Sequence, residues 1–525
     1  AQPPVMVEKI RVIMAQNSRY MGGFTVSNLS DKNYMGQVKC FNYWPLRNPS
    51  KSFSRDDNWT DFQDGIRFYE AVPVETAGGN SMYDPMALLP MNTLLRIPAK
   101  GNAPLWFTIS SKKLKPGMYK TNIVINPSYA GFKAEVIPLE VEVLPVDFGK
   151  VELDSFHYAF FSEYFIDAPY MRRVENLYQY LVDQETNILF GGHLREVYPE
   201  MNADGSIKPI DFTSIDRKIG AWIQAGIRPD RIKLMFNLNN DFTLCWRDKD
   251  GKIHSPRHKF NTPEFDRGFK EFMKEFYAHV GKKFNIPPER IIIYTGDEPE
   301  GDINNPKSRL FRAYHNGKLV KEVVPNASLV TNPYPRKGLN KAFIDAIAKL
   351  CEHHTHMILL PQAQIPELMK IFKDKKITVW TYEVLSNTVS PETYRRMFTR
   401  SFKRNIGSGN GYWAIDSYAG DQFNPHDFSG DYKGGYSKSR MDWGSMYCDL
   451  NQGTYLPGRR AEAHYQGLLD LKALTICREL IVKKADRQTW QKELDGIVKR
   501  LEEGTCQEMD KAHADLLRLI LRLKN

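Results

Sequence analysis

The sequence predicts an α/β protein: a (β/α)8 barrel with an N-terminal β-sandwich domain and a C-terminal helical extension. Three observations lead there. Residues 1–148 read as short strands punctuated by Pro and Gly, residues 149–455 alternate apolar strands with amphipathic helices, and residues 456–525 carry only helical periodicity. At 525 residues the chain is also longer than one hydrophobic core usually serves.

In the first region the clearest strand is Leu139-Glu140-Val141-Glu142-Val143, where apolar and charged residues alternate with period two. Lys115-Pro116-Gly117-Met118-Tyr119 supplies a Pro-Gly turn between the strand Leu105–Ile109 and the strand Thr121–Ile125. Such spacing is that of a β-sandwich, and Leu144-Pro145-Val146-Asp147 reads as the linker that leaves it.

The middle region holds eight apolar strand candidates: Phe156–Phe161, Asn187–Phe190, Ile232–Phe236, Ile291–Tyr294, Ser328–Thr331, Met357–Leu360, Ile377–Trp380 and Tyr412–Ile415. Helical segments lie between them. One is Ile215, Ile219, Trp222 and Ile223, spaced i, i+4, i+7, i+8 behind Thr213 and Ser214 as caps. Eight such units are the count for a barrel, with a doubly wound open sheet as the alternative. The apolar positions of 468–480 and 516–521 then predict helices packed on the barrel as a cap.

Composition narrows the partners. Net charge is +10, with 72 Lys and Arg against 62 Asp and Glu, but the bases are scattered among acids, so nucleic-acid binding is not expected and an anionic glycan stays open. Aromatics at 12% suit stacking on pyranose faces as well as large cores. No run of about 18 apolar residues is present, so no membrane span is expected. The start Ala1-Gln2-Pro3-Pro4 fits a mature end left by signal-peptide removal, and a periplasmic or secreted location is expected. Six cysteines lie far apart without CxxC pairs and imply neither a zinc site nor a disulfide framework.

A barrel works at the C-terminal ends of its strands. Strand four runs Ile291-Ile292-Ile293-Tyr294-Thr295-Gly296 directly into Asp297-Glu298-Pro299. Adjacent acids at a mouth repel each other, which suits general-acid work. Neighbours in sequence straddle a glycosidic bond poorly, whereas a nucleophile and an acid acting across it need carboxyls about 5–5.5 Å apart on opposite sides. They can instead divide the labour, one protonating the leaving oxygen and one orienting a substrate group, as when a 2-acetamido oxygen is the nucleophile. Other strand ends add His157, Asn237, Asn239, Trp380, Tyr382, Trp413 and Asp416, and their convergence on one rim reads as a glycan-binding surface. Glu352-His353-His354-Thr355-His356 has metal-like composition but precedes strand six, away from the mouth, and Gly407-Ser408-Gly409-Asn410-Gly411 precedes a strand and reads as a tight turn. No metal or cofactor is expected.

These residues resemble glycoside hydrolase family 123. The resemblance rests on Pro104-Leu105-Trp106-Phe107-Thr108, Pro116-Gly117-Met118-Tyr119 and Leu144-Pro145, then Asp297-Glu298-Pro299, Trp380-Thr381-Tyr382 and Gly411-Tyr412-Trp413. Arg460, Glu462, Gly467 and Asp470 match the family's Arg-x-Glu…Gly-x-x-Asp helix, with Tyr465 where a second arginine is expected. The resemblance implies β-N-acetylgalactosaminidase-like activity, retaining, through an oxazoline. It implies that Asp297 orients and polarises the acetamido group and Glu298 is general acid, then base. Tyr382 would bond the acetamido oxygen, with Trp380 or Trp413 walling its methyl. The segment Asn240–Asn261, with its Asp250-Gly251 turn, reads as a hairpin beside the site. A glycosidase of the same scaffold acting on a non-acetamido, anionic polysaccharide, and a non-catalytic glycan-binding protein, are the other readings.

Overall fold

A computed structural model describes residues 9–41, 65–75, 81–88, 94–128, 134–157, 178–197, 199–238, 242–335, 338–359, 365–384, 390–403, 409–413, 446–449 and 454–525. The N-terminal strands are β1 (Ile10–Gln16), β2 (Arg19–Ser27), β3 (Tyr34–Phe41), β4 (Ile66–Glu75), β5 (Ser81–Leu88), β6 (Leu95–Ile97), β7 (Asn102–Ser110), β8 (Gly117–Pro127) and β9 (Glu135–Asp147). They form a sheet ordered β1-β9-β8-β3-β6 and a second ordered β2-β7-β4-β5. The alternation expected at Leu139–Val143 holds: Leu139, Val141 and Val143 are buried with Val12 and Met14 of the first sheet and Leu105 and Phe107 of the second. Both sheets therefore close on one apolar cluster.

The expected linker is not a linker. Leu144–Asp147 continues β9, and Leu144, Val146 and Phe148 are buried against the C-terminal helices.

Eight parallel strands close the barrel: β10 (Asp154–His157), β11 (Ile188–His193), β12 (Lys233–Asn237), then β15 (Ile291–Tyr294), β16 (Ser328–Thr331), β17 (His356–Leu359), β18 (Thr378–Val384) and β19 (Gly409–Trp413). A short hairpin, β13 (Trp246–Arg247) and β14 (Ile253–His254), lies in the connection after β12. Each predicted strand overlaps an observed one. Side chains alternate as a pleat demands. Phe156, Ile188, Met235, Ile292, Val330, Ile358 and Trp380 form the cluster inside the barrel, while Leu189, Leu234, Ile291, Ile293 and Leu329 face the helices.

The expected turn at 407–411 is corrected at its described end, because Gly409 and Gly411 begin strand eight. A Cβ at Gly411 would lie 2.1 Å from the Phe156 ring, and one at Gly409 2.4 Å from that of Trp380. Glycine there makes room for two large rings in the barrel interior.

Outside run α1 (Thr213–Gln224), α2 (Pro263–Phe284), α3 (Arg309–Val323), α4 (Lys341–Leu350), α5 (Pro366–Asp374) and α6 (Pro391–Lys403). After a hairpin of β20 (Met446–Asp449) and β21 (Thr454–Pro457) comes α7 (Arg459–Ile481), then α8 (Arg487–Glu503) and α9 (Cys506–Lys524). Helix α1 carries the predicted apolar stripe, but its start is held by Asp211 Oδ1 accepting from the Thr213 N–H at 2.9 Å. Helix α7 follows strand eight, packs on α6 and reaches Gln184 in the connection between β10 and β11. Helices α8 and α9 follow it to the end of the described chain. They pack on α7 and on Ala15, Leu144, Val146 and Phe148 rather than on the barrel alone.

Candidate active site

The turn after β15 carries Asp297 and Glu298, and β16 fastens it. The Thr295 N–H donates to the Val330 carbonyl at 2.9 Å, and the Thr331 hydroxyl donates to the Gly296 carbonyl at 2.9 Å. From beneath, the His354 imidazole braces Thr295. Its Nδ1 lies 2.9 Å from the Leu350 carbonyl, which can only accept, so Nδ1 holds the proton. Nε2, 2.8 Å from the Thr295 hydroxyl, is then the acceptor. Burial pushes the His354 pKa down to about 4, in keeping with a neutral ring.

Glu298 has φ +42°, the left-handed region that costs a residue with a Cβ about 1 kcal/mol or more. One contact offsets that cost: the Glu298 N–H donates to Asn332 Oδ1 at 2.6 Å. Because that oxygen accepts, the Asn332 amide nitrogen faces the other way, and it donates to Asp297 Oδ1 at 3.0 Å. The Tyr294 hydroxyl donates to the same oxygen at 2.8 Å. Asp297 is exposed and Glu298 half-buried, at consecutive positions of the turn that leaves β15. Tyr294 and Asn332 are buried beneath them. Sequence reading passed over both residues, although Asn332 follows strand five directly and the strand-end rule covers it.

The other predicted residues divide. Asn237 ends β12, buried, one pleat above inward-facing Met235 and in register with Tyr294, so it belongs to the mouth. Tyr382 pairs with Gly411 on β18 and Trp413 ends β19, but their side chains lie outside the described residues. Asn239 and Asp416 lie outside the described residues altogether.

His157 and Trp380 are corrections. Phe156 takes the inward position on β10, so His157 points outward, its ring 4.9 Å from that of His464 on α7. Burial pushes the His157 pKa down to about 3, that of a neutral packing residue. Trp380 is inward but deep. It is 0% exposed, its Nε1–H donates to Asp154 Oδ2 at 3.0 Å, and its ring lies 4.6 Å from His356. Asp154, His356 and Lys233 all stand at the starts of their strands, and Asp154 is ion-paired to Lys233. Trp380 therefore fills the barrel floor and walls no ligand at the mouth.

Among the described residues no group of three His, Cys, Asp or Glu side chains converges as a metal would require, and no helix is long and apolar enough to cross a membrane. Burial pushes the Cys245 thiol up, away from the reactive thiolate.

No family model matches the chain, and no curated protein matches it. Solved structures do. A family 123 glycoside hydrolase from Clostridium perfringens superposes with a TM-score of 0.65 at 11% identity, covering 99% of this chain and 94% of that one. The fold resembles that of a family 123 glycoside hydrolase. Weaker likenesses are a family 39 glycoside hydrolase from Bacteroides cellulosilyticus (TM-score 0.38, 12% identity, 87% and 81% covered) and xylanase 10B from Thermotoga petrophila (TM-score 0.38, 14% identity, 62% and 96% covered).

The helix motif behind the family 123 resemblance is architectural in this chain. Glu462 accepts from the Arg19 guanidinium at 2.8 and 3.1 Å and from Gln184 at 2.8 Å. Asp470 accepts from Arg395 at 2.7 Å and meets His513 Nδ1 at 2.7 Å. Arg460 reaches the Tyr394 hydroxyl at 3.4 Å. A Cβ at Gly467 would sit 2.6 Å from the Arg395 carbonyl oxygen, so glycine lets α7 and α6 touch. Tyr465, standing where the family's arginine was expected, lies 4.3 Å beneath the Arg19 guanidinium, so the positive charge comes from β2 instead.

Proposed function

We propose that this chain is a retaining glycoside hydrolase that releases β-linked N-acetylhexosamine, N-acetylgalactosamine foremost, by substrate-assisted catalysis. The observation that carries the reading is the contiguous Asp297-Glu298 pair at the end of strand four, with Asp297 held by two donors and Glu298 turned beside it. In the mechanism Glu298 protonates the glycosidic oxygen while the substrate's acetamido oxygen attacks the anomeric carbon. Asp297 receives the acetamido N–H and stabilises the positive charge that develops there. Glu298, now a carboxylate, takes a proton from the water that opens the oxazoline, and configuration is retained. Tyr382 is assigned the bond to the acetamido oxygen and Trp413 the wall for its methyl. The fold likeness to a hydrolase described in terms of glycolipid glycan hydrolysis supports the substrate class.

A panel of 4-nitrophenyl glycosides with and without 2-acetamido groups tests the reading. Turnover confined to acetamido sugars, with strong inhibition by a thiazoline that mimics the oxazoline, is expected. Asp297→Asn should weaken that inhibition. Covalent trapping of a 2-fluoro sugar on any carboxylate overturns the mechanism. Activity on non-acetamido sugars without thiazoline inhibition favours the anionic-polysaccharide reading.

A further inference from the structure

We infer that Asn332 is the positioning residue that makes two neighbouring acids act as an orienting carboxylate and an acid. The inference rests on the substrate-assisted reading and assigns a role to a residue that touches no reacting atom. Side chains of consecutive residues normally diverge, and nothing in their covalent connection holds one relative to the other. Asn332 supplies that connection from a different strand. Its carbonyl oxygen takes the Glu298 N–H at 2.6 Å and its amide nitrogen gives a hydrogen bond to Asp297 Oδ1 at 3.0 Å. One planar amide therefore fixes both the left-handed turn that aims Glu298 and the orientation of the Asp297 carboxylate.

The amide is itself fixed. Asn332 is 5% exposed and follows Thr331, whose hydroxyl is bonded to the Gly296 carbonyl on the turn it serves. Its two ends are not interchangeable, since the Glu298 N–H can only donate and the Asp297 carboxylate accepts. An aspartate at this place would keep the first bond and replace the second donor by an acceptor. That donor returns only when the new carboxyl or its neighbour takes up a proton, and close carboxyls share one readily.

The test compares Asn332→Ala and Asn332→Asp with wild type on the best acetamido glycoside, using circular dichroism melts to confirm folding. Misplacing a reacting group by a fraction of an ångström to 1 Å costs up to about 10²-fold, so kcat should fall about 10- to 100-fold in both variants with KM little changed. For Asn332→Asp the deficit should shrink several-fold as pH is lowered from 7 to 5, whereas Asn332→Ala keeps a constant deficit. In an Asp297→Ala background the further change Asn332→Ala should cost several-fold less than it does in wild type, since only the bond to the Glu298 N–H is left to lose. Fully additive losses, or an Asn332→Asp deficit that ignores pH, overturn the role. If wild type cleaves non-acetamido glycosides equally well, the substrate-assisted reading falls, while the same cycle on those substrates still decides whether Asn332 acts through Asp297.

Discussion

Replacing Glu462 by glutamine should loosen the junction between the N-terminal sheets and the barrel while leaving the mouth intact. Glu462 is 3% exposed and receives Arg19 through two guanidinium nitrogens, with Gln184 bonded alongside. An amide keeps the shape but turns one acceptor into a donor, so it faces Arg19 or Gln184 donor to donor. Burial alone would disfavour the Arg19 charge, and Glu462 is the first of the groups that restore it. Removing one partner of a buried ion pair costs about 3–5 kcal/mol. With an unfolding entropy of about 2.1 cal/mol/K per residue, a chain of 525 residues melting as one unit loses ~1.1 kcal/mol per degree, so ~4 kcal/mol lowers Tm by ~4 °C. If the first 150 or so residues melt separately, the first transition should fall by ~12 °C instead. Differential scanning calorimetry distinguishes these cases. Paired replacement, Arg19→Met with Glu462→Met, should recover most of the loss, because apolar residues fill such sites without a desolvation cost. A Glu462→Gln melt within about 1 °C of wild type, on either transition, would refute the reasoning that this pair locks the junction.

Three further outcomes are expected. Glu298→Gln should lower turnover about 10²–10⁴-fold on a glycoside whose leaving group needs a proton, with an unchanged melt, and near wild-type rates would remove Glu298 from the acid role. Gly467→Ala should destabilise by about 1–3 kcal/mol, since the added carbon has the α6 backbone and the Phe398 ring within 2.6 Å; an unshifted melt would mean the helices move apart freely. His354 has a folded pKa near 4, below the usual 6.5, so its contribution is fully present above about pH 6.5 and is lost as pH falls toward 4, when the unfolded chain binds the extra proton. Tm should accordingly drop across that window, and His354→Gln should flatten part of the drop without moving the melt in the same direction at pH 8.

The strands and the acid pair were legible because their signals are local. Ile291–Tyr294 reads as a buried strand from its own residues, and Asp297-Glu298 follows it immediately. His157 was not legible. A parallel strand is buried on both faces, so the inward and outward positions of β10 are equally buried and the sequence carries no period-two signal to tell them apart. Trp380 failed for a related reason: strand seven runs from Thr378 to Val384, and residue order alone does not tell depth below the mouth. Asn332 came from another strand, brought to the pair only by the register of β15 with β16.

The same division runs through the whole molecule. From the sequence alone follow the three kinds of region, the eight strands and the carboxylate pair, since hydrophobic periodicity and adjacency are properties of short stretches. Tertiary structure decided that the supposed linker is a buried strand end and that α7 packs directly on α6. It also decided that Glu462 and Asp470 bind distant arginines, and that Asn332 bridges the two acids. Each of these depends on groups up to 443 residues apart meeting out of water, where a charge or a strained turn persists only if its partner is present.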